Sequence, residues 1–243
     1  ICGWISKGFS EKVEILNYGI LPSGSMPILL DELNHDMGII ISASHNPSEY
    51  NGIKLIDKNG SKLSDDIEIL IEETMGEIKL PLKSALVKDS HLGYEKYKDF
   101  LKSINDIDFS QFELVIDSAN GAAFKIIGDI IPESNTKSIT HIANQPNGTN
   151  INHNSGATDT ESLIDFMERG QLGVSFDGDA DRLIMIDENK EIANGDVIIA
   201  LLASYFSQTK ELKNESVVST VMSNYGFKLA MKNNQFNLIE TPV

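Results

Sequence analysis

Asp177, Asp179 and Asp181 alternate along Asp177-Gly178-Asp179-Ala180-Asp181-Arg182, and far upstream Ser44 and His45 stand in Ser42-Ala43-Ser44-His45-Asn46-Pro47. Three carboxylates drawn together repel one another unless a cation lies between them. All-oxygen ligation suits a hard ion, Mg²⁺ or Ca²⁺, at roughly 2.0–2.6 Å. In an extended segment alternate side chains share a face, so the i, i+2, i+4 spacing would aim all three the same way. Gly178 and Ala180 keep the intervening positions small, which lets the backbone curl around an ion. The calcium loop of an EF-hand also begins with Asp at its first, third and fifth positions, and Glu188 falls at its twelfth. Its sixth position, however, is Arg182 where that loop needs glycine for its turn, and the flanks read as strands. A solvated acidic turn stays open, because turns are rich in Asp and Gly.

The serine loop follows an apolar run, Gly38-Ile39-Ile40-Ile41, that reads as a buried strand delivering a hydroxyl, an imidazole and an amide onto a loop. A strand end of this kind is where α/β proteins usually place their chemistry. His45 is no obvious base for Ser44, since adjacent residues on an extended chain point apart. No G-x-S-x-G elbow is present, which counts against a hydrolase triad. A serine near a Mg²⁺ site could instead carry a phosphoryl group. Phosphoserine adds about −1.5 to −2 charge and three acceptor oxygens, one of which could complete the metal's shell. Lys54, after the Asn51-Gly52 turn, could balance that charge or move a proton; an exposed structural lysine is the competing reading. Arg182 is one of only two arginines, with Arg169. It suits bidentate work on a phosphate or carboxylate, or an ion pair that holds Asp179 or a neighbour in place. The expectation is that the two loops meet around one divalent cation.

Positioning them requires alternating strands and helices. Residues 13–22 read as a strand and 23–34 as a helix, with Ser23 or Ser25 as N-cap. After the serine loop, 53–56 reads as a strand, and Ser64 caps a helix over 65–78 with Asp65, Asp66 and Glu68 near its positive end. Residues 79–92, with Pro81, show no period and read as a connection; 94–104 reads as a helix, with a domain boundary near 105. Strands are expected at 112–116, 138–142 and 172–176, and helices from 121 to about 131 and over 160–168. The loop over 144–157 is too polar to be core. Residues 183–186 read as half of a hairpin turning at Glu188-Asn189. Helices at 195–207 and 226–233 then alternate with strands at 217–221 and 236–239. This rhythm predicts an α/β chain of repeated domains, with mixed, mostly parallel sheets flanked by helices.

The chain has 243 residues, a formal charge of −16 and an isoelectric point near 4.6. That balance argues against nucleic acid or an anionic membrane as a general partner, since phosphate backbones are bound by basic patches. A small phosphorylated substrate needs only a local positive site and stays open. With Cys2 as the single cysteine there is no internal disulfide, which fits a cytoplasmic location. No apolar run is long enough to span a bilayer. The chain opens Ile1-Cys2-Gly3-Trp4 and ends Thr241-Pro242-Val243, and both ends read as cuts through something larger.

Taken together, Ser42-Ala43-Ser44-His45-Asn46-Pro47 with Asn51-Gly52-Ile53-Lys54 resembles the active-site serine loop of the α-D-phosphohexomutases. Asp177-Gly178-Asp179-Ala180-Asp181-Arg182 resembles that family's metal loop. Alanine at 180 replaces the glycine of many members, a difference expected to be harmless. Three further stretches are most similar to a bacterial branch acting on glucosamine phosphate: residues 117–122, 146–152 with 156–158, and 219–224. The resemblance implies Mg²⁺ held by Asp177, Asp179, Asp181 and Ser44. It also implies catalytic roles for Ser44, His45, Lys54 and Arg182, and a sugar phosphate as the small-molecule partner. The implied reaction interconverts glucosamine 6-phosphate and glucosamine 1-phosphate through a phosphoserine and a bound 1,6-bisphosphate, toward UDP-N-acetylglucosamine. Phosphoglucose and phosphomannose remain alternative substrates, and a non-catalytic metal-stabilised module is the alternative from another class. The family's four-domain plan implies the end of domain 1 over 1–104, domain 2 over 105–191 and the start of domain 3 over 192–243. The parts that choose the sugar fall outside, so this chain alone is expected to isomerise nothing at a useful rate. A homodimer is compatible with the resemblance.

Overall fold

The structure, a computed structural model, describes residues 1–75, 83–104, 107–131 and 135–243. The first part runs α1 (Cys2–Ile5), β1 (Ile15–Asn17), α2 (Ser25–Glu32), β2 (Met37–Ile41), β3 (Ile53–Asp57), α3 (Asp65–Thr74), β4 (Val87–Asp89) and α4 (Leu92–Ile104). The middle runs β5 (Phe109–Asp117), α5 (Ala123–Ile130), β6 (Thr136–Ile142), α6 (Glu161–Phe166), β7 (Leu172–Phe176), β8 (Leu183–Ile186) and β9 (Ile192–Ala193). The last part runs α7 (Gly195–Gln208), β10 (Ser216–Thr220), α8 (Tyr225–Asn233) and β11 (Asn237–Thr241).

The middle part is built on a five-stranded sheet in the order β6-β5-β7-β8-β9. β5 runs parallel to β6 and β7, while β7–β8 and β8–β9 are antiparallel, so the sheet is mixed. β5 is an interior strand paired on both sides, and its residues Val115, Ile116 and Asp117 are almost fully buried. The period of two divides its side chains between the faces. Leu114 and Ile116 join Ala123, Ile126 and Ile127 of α5 and Tyr94 and Tyr97 of α4. Val115 packs with Leu163, Met167 and Ile186 on the opposite face. Helices therefore cover both faces, which is why β5 is apolar without alternation. A third cluster, Ala203, Val217, Phe227 and Met231, holds α7 and α8 against the parallel pair β10–β11.

In the first part β1 pairs with β4 in parallel and β2 with β3 antiparallel, as two separate ladders. The expectation of a buried strand before the serine loop needs correction. Gly38 is buried, but Ile39, Ile40 and Ile41 are only half-buried. Among the described residues β3 is the one neighbour hydrogen-bonded to β2, and Ile39 to Ile41 line a cavity of about 1,390 Å³ shared with Leu29 and Leu30.

Other boundaries moved for local reasons. β4 lies inside the stretch read as a connection; three residues with Lys88 and Asp89 carry no readable period. The N-cap of α2 is Gly24, not Ser23 or Ser25, because Ser23 is spent elsewhere and Ser25 is buried. Ser64 does precede α3, but its side chain makes no capping hydrogen bond. The expected end of that helix at 78, Pro81 and the boundary at 105 lie outside the described residues. The polar loop over 144–157 is not wholly outside the core, since Ser155 and Gly156 are buried. Among the described residues no helix is long and apolar enough to cross a membrane.

Candidate active site

The serine loop leaves the end of β2, and the carboxylate loop leaves the end of β7. The two meet directly. Ser44 Oγ donates to Asp177 Oδ2 at 2.7 Å, across 133 positions of sequence. Ser42 Oγ donates to Asp179 Oδ2 at 2.9 Å and accepts the backbone N–H of Ser44 at 2.8 Å. Ser23, ahead of α2, donates its N–H to the Asp179 carbonyl at 2.9 Å, with its hydroxyl on the same oxygen at 3.3 Å.

The carboxylates converge by a turn and not by strand alternation. β7 ends at Phe176, and the Ala180 N–H closes onto the Asp177 carbonyl at 3.0 Å. Ala180 takes φ +56°, a left-handed conformation that costs a non-glycine residue roughly 1–2 kcal/mol. The alanine expected to be harmless is thus a strained choice. Ala180→Gly is expected to raise stability by up to about 1 kcal/mol in a denaturant titration; an unchanged or lower midpoint would refute the strain.

Gly178 and Gly121 allow the loops to close. A Cβ on Gly178 would lie 2.5 Å from the Ser44 carbonyl oxygen and 2.8 Å from Asn152 Nδ2. A Cβ on Gly121 would lie 2.4 Å from the Gly178 carbonyl oxygen. Backbone cannot yield by that much, so a side chain at 178 would push the serine loop away, and one at 121 would displace the carboxylate loop.

One ligand oxygen from each of Asp177, Asp179 and Asp181 falls within 4.8 Å of the others. The Asp177 and Asp179 side chains are buried, and that of Asp181 is 40% exposed. Asp179 Oδ1 is buried without a hydrogen-bond partner among the described residues, a costly condition for a carboxylate oxygen unless a cation meets it. Lys54 Nζ lies 2.8 Å from Asp179 Oδ2 and 3.5 Å from Asp181 Oδ2. It is therefore engaged with the trio and is not a free surface lysine. Burial works against ionisation of Asp179, yet the hydrogen bonds that Lys54 and Ser42 donate to its carboxylate outweigh it and hold its carboxyl below the ordinary range. Burial likewise works against the Lys54 ammonium, and its bond to Asp179 outweighs that and raises it. Asp181 is pushed up, first by burial and then by the charges of Asp179 and Asp177. A hard cation among the three would relieve that repulsion, and the all-oxygen donor set fits one.

Arg182 reaches the trio more loosely. Its Nε lies 3.9 Å from Asp177 Oδ2 and from Asp181 Oδ1, and its side chain is 54% exposed. The ion pair falls on these two carboxylates and not on Asp179. His45 is half-buried, and its Nδ1 has no hydrogen-bond partner among the described residues. All seven expected residues are thus brought to one place, with His45 alone lacking a polar link to the carboxylates in the described set. Sequence reasoning missed Ser42 and Ser23, which anchor Asp179, and Asn152, whose Nδ2 donates to the Ser44 carbonyl. Ser42 and Asn152 lay within quoted stretches, and Ser23 was read only as a helix N-cap.

Comparison with known proteins bears on the whole chain. Residues 3–81, 95–191 and 194–243 match the alpha/beta/alpha domains I, II and III of phosphoglucomutase/phosphomannomutase. A phosphoglucosamine mutase of Alkaliphilus oremlandii (strain OhILAs) is 38% identical over 249 residues, covering 99% of this chain and 54% of that protein. The chain spans about half the length of the curated relatives it matches. The crystal structure of a phosphoglucomutase/phosphomannomutase family protein from Burkholderia thailandensis superposes with a TM-score of 0.77 at 18% identity, over 96% of this chain and 53% of that one. That of Aspergillus fumigatus N-acetylphosphoglucosamine mutase, in complex with GlcNAc-6P and magnesium, gives 0.57 at 16% identity, over 98% of this chain and 64% of that one.

Proposed function

This chain belongs to the phosphoglucomutase/phosphomannomutase family, and from that premise we propose that it forms the phosphoryl-donor and metal half of a phosphoglucosamine mutase. The observation that carries the reading is the 2.7 Å hydrogen bond from Ser44 Oγ to Asp177, which puts a hydroxyl at the edge of a three-carboxylate cluster. Residues 1–104, 105–191 and 192–243 correspond in this reading to the end of domain 1, domain 2 and the start of domain 3.

Ser44 carries the phosphoryl group in the active enzyme. The phosphoserine P–Oγ bond breaks as a P–O bond forms to the C1 hydroxyl of glucosamine 6-phosphate, whose proton is released. The 1,6-bisphosphate turns over, and its 6-phosphoryl group returns to Ser44 Oγ, leaving glucosamine 1-phosphate. Asp177, Asp179 and Asp181, with an oxygen on Ser44, would hold Mg²⁺. When bound there, the ion would supply neutralisation of the phosphoryl oxygens. Lys54, kept protonated by Asp179, balances charge at the same point. His45, next to Ser44 in the chain, carries the proton of the sugar hydroxyl in this reading. Arg182 is within reach to steady the phosphoserine.

The test is intact mass and peptide mapping of the purified protein after incubation with a sugar 1,6-bisphosphate. The expected result is one added phosphoryl mass, mapped to Ser44, and faster isomerisation of glucosamine than of glucose or mannose phosphate by the intact enzyme. Absence of phosphate on Ser44 would refute the mechanism. Preference for a hydroxyl sugar would move the assignment to a sister mutase.

A further inference from the structure

The loop between β6 and α6 does more than connect them. Asn152 donates both amide hydrogens of its Nδ2 to the serine loop, to the Ser44 carbonyl at 2.9 Å and the Asn46 carbonyl at 3.1 Å. These carbonyls flank His45. Asn152 is itself fixed from below. Its backbone N–H donates to the Ala119 carbonyl at 2.9 Å. Asp117, fully buried at the end of β5, accepts the N–H of Ala119 and the N–H of Gly156, each at 2.7 Å. Asn120 Nδ2 donates to the Asn150 carbonyl at 3.3 Å, and Asn120 Oδ1 accepts the Gln145 N–H at 3.1 Å. The loop is thus stapled at several points to the buried end of β5 and the turn that follows it.

Ser44 needs such a clamp. Its φ of +52° is left-handed, a conformation that a serine does not hold by its own preference. Its N–H and hydroxyl are bound by Ser42 and Asp177, and the Asn152 amide takes the remaining backbone group. The geometry points to Asn152 as a positioning residue: it locks the backbone around Ser44 and His45 onto the carboxylate-bearing half, so that the hydroxyl is aimed before substrate arrives. This rests on the reading of Ser44 as the nucleophile. A misplacement of about 1 Å at a reacting atom can cost on the order of a hundredfold in rate.

The side chain must be separated from the backbone. Asn152 has φ +57°, which asparagine adopts at less cost than alanine does. Asn152→Gly keeps that conformation and deletes the clamp. Asn152→Asp keeps the shape and turns a donor into an acceptor facing two carbonyl oxygens. In the intact enzyme both variants should lose about tenfold to a hundredfold in kcat. The KM for glucosamine 6-phosphate and the Mn²⁺ affinity, read by titration, should stay within about threefold, with the thermal midpoint near that of the parent. A kcat within twofold of the parent would overturn the inference. So would a fall in metal affinity and midpoint that tracks the fall in kcat, since that describes general loosening. Ser44→Ala is measured alongside. If it is inactive while Asn152→Gly is normal, the clamp alone is refuted; if it is active, the nucleophile reading falls and takes the clamp with it.

Discussion

Ser44→Ala in the intact protein is expected to lower isomerisation by several orders of magnitude, with the fold retained. The size follows from the role. With no oxygen to carry the phosphoryl group there is no covalent intermediate, and the remaining groups only bind and neutralise charge. The local damage is small by comparison. Asp177 Oδ2 loses the 2.7 Å donation, while Oδ1 keeps the N–H of Arg182 at 3.2 Å. One buried acceptor left short costs about 1–3 kcal/mol. A thermal melt therefore separates lost chemistry from lost folding. Turnover near the parent's, in a variant that melts normally, would end the phosphoserine assignment.

Asp179→Asn is the second large expected effect, and it is read in metal dependence. Asp179 Oδ2 is occupied by Lys54 at 2.8 Å and Ser42 at 2.9 Å, whereas Oδ1 is buried without a partner. Neutralising it removes a ligand charge, which tunes the affinity of oxygen sites for hard cations. The Mg²⁺ needed for half-maximal activity is expected to rise at least about tenfold to a hundredfold, the range seen when even outer partners of a metal are removed. Stability should follow by linkage. Asp181, held above the ordinary carboxylate range by burial and by its neighbours' charges, costs the fold stability above its folded pKa. A cation removes that cost, so Mg²⁺ should raise the thermal midpoint of the parent and raise that of Asp179→Asn less. Asp179 has the opposite sign. Its carboxyl is held low, so its stabilisation is present above its unfolded value and is lost as pH falls through the folded one. Acid unfolding of Asp179→Asn should accordingly be less steep below about pH 4. An unchanged Mg²⁺ titration would argue against the carboxylate loop as the metal site.

Much of the architecture was legible in the order of residues because it depends on local rules. The strand expected at 112–116 lies within β5, and the helix expected from 121 to about 131 contains α5. β4 was invisible, since three residues without a period become a strand only when β1 lies beside them. The half-exposure of Ile39 to Ile41 was likewise unreadable, because burial depends on which strands stand next to β2.

The site divides in the same way. Residue type and spacing alone determined that three carboxylates share a short loop and that a serine follows an apolar run. Both are facts of neighbouring positions, where charge repulsion and side-chain size leave few choices. Only the tertiary structure decided that Ser44 meets Asp177, that Ser23 and Ser42 anchor Asp179, and that Asn152 grips the serine loop. These partners lie up to 156 positions apart. A hydrogen bond needs atoms about 3 Å apart, and no local propensity carries that information; the packing of whole strands and helices does.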